Sequence, residues 1–164
     1  MNFAFGAARR LYATGSHPRL MFGPDDVARL RSEVRRGIAR TVMDALRTDV
    51  ARAVEHVLSH DAARMIVEWS DWYDVTCRVL TGLDDLALVA VVDENERALE
   101  AVRRVLTAVP AADAAGQKAL WHCGATVRLP LAYDLVAKRL PEADRETFTR
   151  WTVERPIRDR KSVV

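Results

Sequence analysis

Apolar residues recur every three or four positions along most of this chain, and this period constrains its fold more than any other feature. Such spacing places apolar side chains on one face of an α-helix, whereas a half-buried strand alternates at every second residue. One stripe consists of Val42 or Met43, followed by Leu46, Val50, Val54 and Val57. The chain is therefore expected to be essentially all-helical.

Glycine, proline and polar residues divide the first half of the chain into helices. The segment Gly23-Pro24-Asp25-Asp26 predicts a helix start, because proline suits the first turn and carboxylates favour the positive end of the helix dipole. Gly37 is the expected stop of that helix, and a second helix is expected to end near His60. A third helix is predicted to begin around Asp61 and to end at Thr81-Gly82.

The next segment could form a strand or a helix by composition. Leu83 to Val92 is apolar and rich in β-branched residues, but no nearby segment offers a second strand to pair with it. A short buried helix is therefore predicted. The polar turn Asp93-Glu94-Asn95 then leads into an amphipathic helix that is expected to end at Pro110, which makes a helical hairpin.

Prolines set the expected boundaries in the last third of the chain. Residues 110–116 are small and are expected to form a connector. Pro130 is expected to kink or break the following helix, because proline lacks a backbone donor and clashes with the preceding turn. Pro141 is predicted to open the final helix, and Pro156 to close it.

Size and composition fit one helical domain. The chain has 164 residues, of which 49% are hydrophobic, and this is enough to bury a core. The predicted domain spans residues 17–156, after an N-terminal extension of residues 1–16 and before an irregular tail of residues 157–164. Its helices are expected to pair as antiparallel hairpins, an arrangement shared by bundles, solenoids and arcs of a toroid.

Charge and composition argue against several classes of function. The 25 basic and 23 acidic residues leave a net charge of +2, far below the basic excess of a dedicated nucleic-acid-binding protein. No apolar run is long enough to span a membrane. Arg9 and Arg10 interrupt the N-terminal apolar residues, so no signal peptide is predicted and a cytoplasmic location is the default expectation. Cys77 and Cys123 match neither a zinc-binding spacing nor a disulfide framework.

Three short motifs follow one another in a characteristic order. They are His17-Pro18-Arg19-Leu20-Met21-Phe22 before the first helix, then Leu80-Thr81-Gly82, then Leu131-Ala132-Tyr133-Asp134-Leu135 followed by Leu140-Pro141. With these motifs the chain resembles the N-terminal helical region of heparinase II/III-like and alginate-lyase-like polysaccharide lyases. The likeness covers roughly residues 17–155, and Leu83 stands where the family usually has an acidic residue.

The resemblance implies a fold and a chemistry. Family members complete an (α/α) toroid and add a β-sandwich region, so this chain is expected to form part of an incomplete toroid. Their reaction is β-elimination at a uronic acid, in which a tyrosine or histidine removes the C5 proton while another side chain neutralises the adjacent carboxylate. In the family these residues lie downstream of the matched region. No catalytic residue is therefore assigned here, and the chain is not expected to be catalytically complete alone.

An acidic polysaccharide is the partner that the resemblance implies. The candidates for a sugar-facing surface are Trp69, Trp72, Tyr73, Trp121 and His122. Flat aromatic faces stack on pyranose rings, and sugar-binding clefts combine such faces with a few polar groups. Packing in the core is the alternative role for these side chains. The alternative function is a non-enzymatic helical protein-interaction module, with the aromatic third helix as its binding face.

Several polar residues are assigned structural roles. His56 and His60 have a spacing used by helical zinc sites, but no glutamate base lies between them, and neither a metal nor a cofactor is predicted. Asp84-Asp85 cannot flank one glycosidic bond, because neighbouring residues on a helix point about 100° apart. They are assigned to the first turn of their helix. Tyr133-Asp134 is expected to brace its helix, and an incomplete toroid is expected to self-associate through exposed apolar helix faces.

Overall fold

The computed structural model describes Leu20 and residues 23–62, 79–114 and 125–161. Every regular element within these ranges is helical, which confirms the all-α prediction. The elements are α1 (Pro24–Glu33), α2 (Gly37–Ser59), α3 (Leu83–Val92), α4 (Glu96–Ala114), α5 (Ala125–Val136), a 3-10 turn (Ala137–Arg139) and α6 (Glu142–Lys161). None of the helices described combines the length and the apolar composition that crossing a bilayer requires.

The start of α1 is held by two reciprocal hydrogen bonds. The Gly23 amide donates to the Asp26 carboxylate at 2.8 Å, and the Asp26 amide donates to the Gly23 carbonyl at 3.1 Å. These bonds satisfy amide groups that the first turn of a helix leaves without partners. The predicted helix start at Gly23-Pro24-Asp25-Asp26 is thus confirmed.

The junction between α1 and α2 differs from the expectation. α1 ends at Glu33, and Gly37 is the first residue of α2 rather than the stop of α1. Its φ is +60°, a left-handed conformation that glycine adopts at little cost. The prediction that Gly37 ends the first helix is therefore wrong, because this glycine begins α2 instead. The predicted end of α2 near His60 is confirmed.

α3 lies at the centre of the described core. It contacts α1, α2, α4 and α5. Its buried residues are Leu83, Leu86, Ala87, Val89, Ala90, Val91 and Val92. A helix buried on almost every face needs an apolar run rather than a stripe, and this explains the strand-like composition. The prediction of a short buried helix over Leu83–Val92 is confirmed at both ends.

α3 and α4 form the predicted hairpin. Residues 93–95 join them, and the Asn95 side-chain oxygen accepts the Ala98 amide at 3.0 Å, which caps the start of α4. Glu94 takes the left-handed backbone conformation in this turn, with φ of 54°. The Asn95 side chain thus provides a hydrogen-bond partner for a backbone amide in the first turn of α4.

Three helices continue through a proline. α4 runs through Pro110, α5 through Pro130, and α6 through Pro156 to Lys161. The predictions that Pro110 and Pro156 end their helices and that Pro130 breaks α5 are therefore wrong, whereas a kink at Pro130 stays a prediction. Residues 110–114 of the predicted connector belong to α4, and residues 115–116 lie outside the described residues. A proline removes one helical hydrogen bond, but the packing of an amphipathic helix supplies most of its stability and sustains the remaining turns.

Tyr133 and Asp134 connect α5 to its surroundings. Asp134 is only 3% exposed, and its carboxylate accepts a hydrogen bond of 2.8 Å from the Leu20 amide, so it fixes the backbone at Leu20. The Tyr133 hydroxyl lies 3.1 Å from the Thr149 hydroxyl of α6, and its ring stacks on Phe148 with centroids 4.8 Å apart. These contacts agree with the expected bracing role.

Candidate functional site

The five residues proposed from the sequence to face a sugar lie outside the described residues. They are Trp69, Trp72, Tyr73, Trp121 and His122. Whether their side chains converge therefore remains a prediction.

A cleft of about 630 Å³ lies between α2 and the turn that leads into α3. We name it the α2–α3 cleft. Its polar lining comprises Asp49, Arg52, His56, Thr81 and Asp85, and Leu46, Ala53 and Leu86 are among its apolar residues. Small-molecule sites typically occupy about 300–1,000 Å³ and combine apolar walls with a few polar groups. The cleft therefore has the size and the mixed lining of a ligand site.

Asp85 is the most perturbed acid of the cleft. It lies in the first turn of α3, where burial raises the pKa of its carboxyl and the neighbouring Asp84 charge raises it further. The positive charge of Arg128 acts in the opposite direction. Arg128 forms an ion pair with Asp84, which connects α5 to the first turn of α3. The two adjacent carboxylates thus have different roles, one in an ion pair and one at the cleft.

The imidazole of His56, also in the cleft, favours its neutral form. Burial lowers its pKa, and the charge of His60 lowers it further. The two rings are 4.5 Å apart between centroids, and His60 Nδ1 lies 2.8 Å from the His56 carbonyl oxygen. No group of three His, Cys, Asp or Glu side chains suited to a metal ion occurs within the described ranges.

The α2–α3 cleft can form hydrogen bonds with a polar ligand, and its apolar residues can contact the rest of that ligand. Burial disfavours the charged form of both groups, so Asp85 keeps its proton to a higher pH than an ordinary carboxyl and His56 loses its proton at a lower pH than an ordinary imidazolium. Arg52 adds a guanidinium group, which binds carboxylates through paired hydrogen bonds.

Sequence reasoning missed this arrangement although part of its signal was present. Arg52 and Ala53 lie three and four residues after Asp49, and His56 lies four and three residues after them, so the four residues share one face of α2. Asp85 was assigned to the first turn of its helix, which is correct, but the pattern did not reveal that it faces α2. Only the packing of α2 against the turn before α3 brings these side chains to one cleft.

The other arginines near α3 serve the fold. Arg47 of α2 donates two hydrogen bonds to Asp93, each of 2.7 Å, and these carboxylate contacts raise its pKa. Arg31 of α1 donates to the Val91 carbonyl at 2.8 Å and pairs with Glu94 at the same distance. Both guanidinium groups thus fasten α1 and α2 to the turn between α3 and α4.

Comparison with protein-family models, with curated proteins and with solved structures gives no match. The family resemblance therefore rests on the three sequence motifs alone.

Proposed function

We propose that this chain is a helical binding module for an acidic polysaccharide, part of an (α/α) toroid of the polysaccharide-lyase type, and that it does not complete β-elimination by itself. The observation that carries the proposal is the α2–α3 cleft, whose lining joins a guanidinium group to hydrogen-bonding groups and an apolar wall. The order of the three sequence motifs supplies the substrate class.

Arg52 is the group proposed to bind a uronate. Its side chain is 79% exposed, and its Nη1 atom lies 3.9 Å from the Asp49 carboxylate. An ion pair this exposed and this long contributes little, so Arg52 can exchange Asp49 for a ligand carboxylate at small cost. A uronate would gain a pair of charge-assisted hydrogen bonds from the guanidinium group.

Asp85 and His56 are proposed to adapt to the charge of the ligand. An approaching carboxylate raises the pKa of both groups, because it favours the protonated acid and the protonated imidazole. The pKa of Asp85 is already raised in the free chain, so proton uptake there is easier than at an ordinary aspartate. Affinity for an acidic polysaccharide is therefore expected to increase as the pH falls below neutral.

Calorimetric titration with alginate, heparan sulfate and hyaluronan oligosaccharides tests the proposal. Arg52→Ala is expected to weaken binding at least about tenfold, since a hydrogen bond to a charged group contributes about 1.5–3 kcal/mol. Arg40→Ala is the matched control, because Arg40 lies on the same helix, is 67% exposed and does not line the cleft. Equal losses for the two variants, or no binding of any of these polymers, would contradict the proposal.

The absence of complete catalysis is tested separately. Incubation of the wild-type chain with the same polymers is expected to give no rise in the ultraviolet absorbance of unsaturated uronate. Elimination needs both a base and a group that neutralises the carboxylate, and the family resemblance implies that these residues lie downstream of the matched region. Steady product formation that a substitution within this chain abolishes would show that the site is complete.

A further inference from the structure

We infer that the polar cavity between α1, α2 and the α3–α4 turn is a binding site for a tetrahedral oxyanion, the phosphate or sulfate group of a ligand. The cavity has a volume of about 340 Å³, and we name it the arginine pocket. Three guanidinium groups and two carboxylates line it, namely those of Arg31, Arg35, Arg47, Asp93 and Glu94. The arginine pocket shares no lining residue with the α2–α3 cleft, so this inference goes beyond the proposed function and does not depend on it.

The arginine pocket carries one positive charge in excess. Arg47 binds Asp93 through two hydrogen bonds, each of 2.7 Å. Arg31 binds Glu94 in an ion pair of 2.8 Å. Arg35, two residues after the end of α1, is exposed, and its side chain takes part in no ion pair or hydrogen bond among the described residues. Its guanidinium group therefore has its donors available for an anion, because both carboxylates of the pocket pair with other arginines.

Arg31 offers a donor that its present contacts leave unused. One of its Nη atoms donates to the Val91 carbonyl and the other pairs with Glu94, each at 2.8 Å. Its Nε atom is buried and has no hydrogen-bond partner within the part of the chain that the structure describes. A buried donor without a partner is unfavourable, so an oxygen atom of a bound anion would relieve this cost.

The positions of the three arginines favour a tetrahedral anion over a carboxylate. Arg31 comes from α1, Arg35 from the junction after α1, and Arg47 from α2, so their positive charges reach the pocket from three elements. A planar carboxylate is matched by one guanidinium group through two parallel hydrogen bonds. A phosphate or sulfate group has three free oxygens that point in different directions. Such a group can therefore accept from Arg31 and Arg35 together, while Arg47 adds its charge.

Glu94 is the group that the anion displaces. Its side chain is 68% exposed, and an ion pair this exposed contributes little, so Arg31 can exchange Glu94 for an oxyanion at small cost. Asp93 is only 23% exposed and holds Arg47 with two hydrogen bonds, so it stays in place. The occupied pocket thus holds the oxyanion between Arg31 and Arg35.

Calorimetric titration of the full chain with inorganic phosphate, inorganic sulfate and acetate tests the site. The wild-type chain is expected to bind phosphate and sulfate at least about tenfold more tightly than acetate. Arg35→Ala is expected to weaken oxyanion binding at least about tenfold, because charge-assisted hydrogen bonds are lost. Arg36→Ala is the matched control and should leave binding nearly unchanged. Arg36 is the next residue and is also exposed, but it does not line the pocket, so its loss removes the same charge without removing a donor.

Glu94→Gln is expected to have the opposite effect. It removes the carboxylate that competes for Arg31, so phosphate and sulfate should both bind more tightly, and circular dichroism confirms that each variant is folded. Tighter binding of one oxyanion than of the other distinguishes a phosphorylated from a sulfated ligand. No binding of either oxyanion, equal binding of acetate, equal effects of Arg35→Ala and Arg36→Ala, or weaker binding by Glu94→Gln would overturn the inference. No polysaccharide enters the experiment, so its failure would leave the proposal for the α2–α3 cleft intact.

Discussion

Two aspartates that are neighbours in the sequence have different surroundings in the structure. Asp84 and Asp85 both lie in the first turn of α3, where a carboxylate complements the helix dipole. Asp84 is paired with Arg128, whereas Asp85 lies at the cleft with a raised pKa. The sequence placed both in the first turn correctly, but one residue strengthens the fold and the other opposes it when charged.

We predict that Asp85→Asn stabilises the chain at neutral pH. Its pKa is raised above the ordinary 3.8, so the unfolded chain releases this proton at a lower pH than the folded chain. The charged carboxylate therefore lowers the free energy of unfolding above the folded pKa, and this cost vanishes below the unfolded pKa. Urea denaturation of wild type and variant at pH 7 and pH 3 measures the difference, which should be larger at pH 7.

Asp84→Asn is the paired control for that experiment. It removes the charge that binds Arg128, and it is expected to lower the free energy of unfolding at pH 7 by about 1 kcal/mol, a value at the upper end for exposed ion pairs because Asp84 is largely buried. Opposite signs for the two variants are expected. If both substitutions destabilise the chain equally, the different roles assigned to these carboxylates are wrong.

Among the elements, the α1–α2 junction depends on one backbone conformation. We predict that Gly37→Ala lowers the free energy of unfolding by about 1–2 kcal/mol, the cost of placing a β-carbon in the left-handed region. The cost is one of backbone strain, since no atom lies within 4 Å of the β-carbon that alanine would add. Urea denaturation monitored by circular dichroism gives the change.

Gly23→Ala provides the control at the other end of α1. Gly23 has φ of −81°, which alanine adopts freely, and its added β-carbon would lie 3.5 Å from an Asp26 oxygen, an ordinary contact. A change within about 0.5 kcal/mol is therefore expected. A loss as large as that of Gly37→Ala would show that the two glycines matter for some reason other than the sign of φ.

Helix starts were predicted well, both where a side chain caps them and at Pro141, whereas helix ends that only a proline indicated were predicted poorly. Asp26 and Asn95 bind backbone amides at the starts of α1 and α4, and a local bond of this kind is fixed by neighbouring residues. Pro110 and Pro156 destabilise their helices without ending them. Whether the penalty ends the helix depends on packing by distant residues, which the sequence pattern does not contain.

At the scale of the whole molecule, α1, α2, α4 and α5 share α3 as their common neighbour. We predict that Leu83→Ala lowers the free energy of unfolding by about 2–5 kcal/mol, because Leu83 is fully buried and its truncation leaves a cavity. Thermal unfolding followed by circular dichroism should show the loss in a single transition. Val127→Ala, at an exposed site, should stay within about 0.5 kcal/mol, and equal effects of the two would show that Leu83 is not part of the core.

The sequence alone determined that every regular element in the described ranges is helical, that Leu83–Val92 is a buried helix and that residues 93–95 turn into the next one. These features follow from periodicity and from caps, which act over a few residues. Only the tertiary structure decided that Asp85 joins Arg52 and His56 at one cleft and that Ile38 and Val42 remain in solvent. Both the cleft and the exposure of Ile38 and Val42 depend on which helix packs against which face of α2. An apolar stripe in the sequence specifies that a helix face is buried, but it does not specify the helix that packs against it.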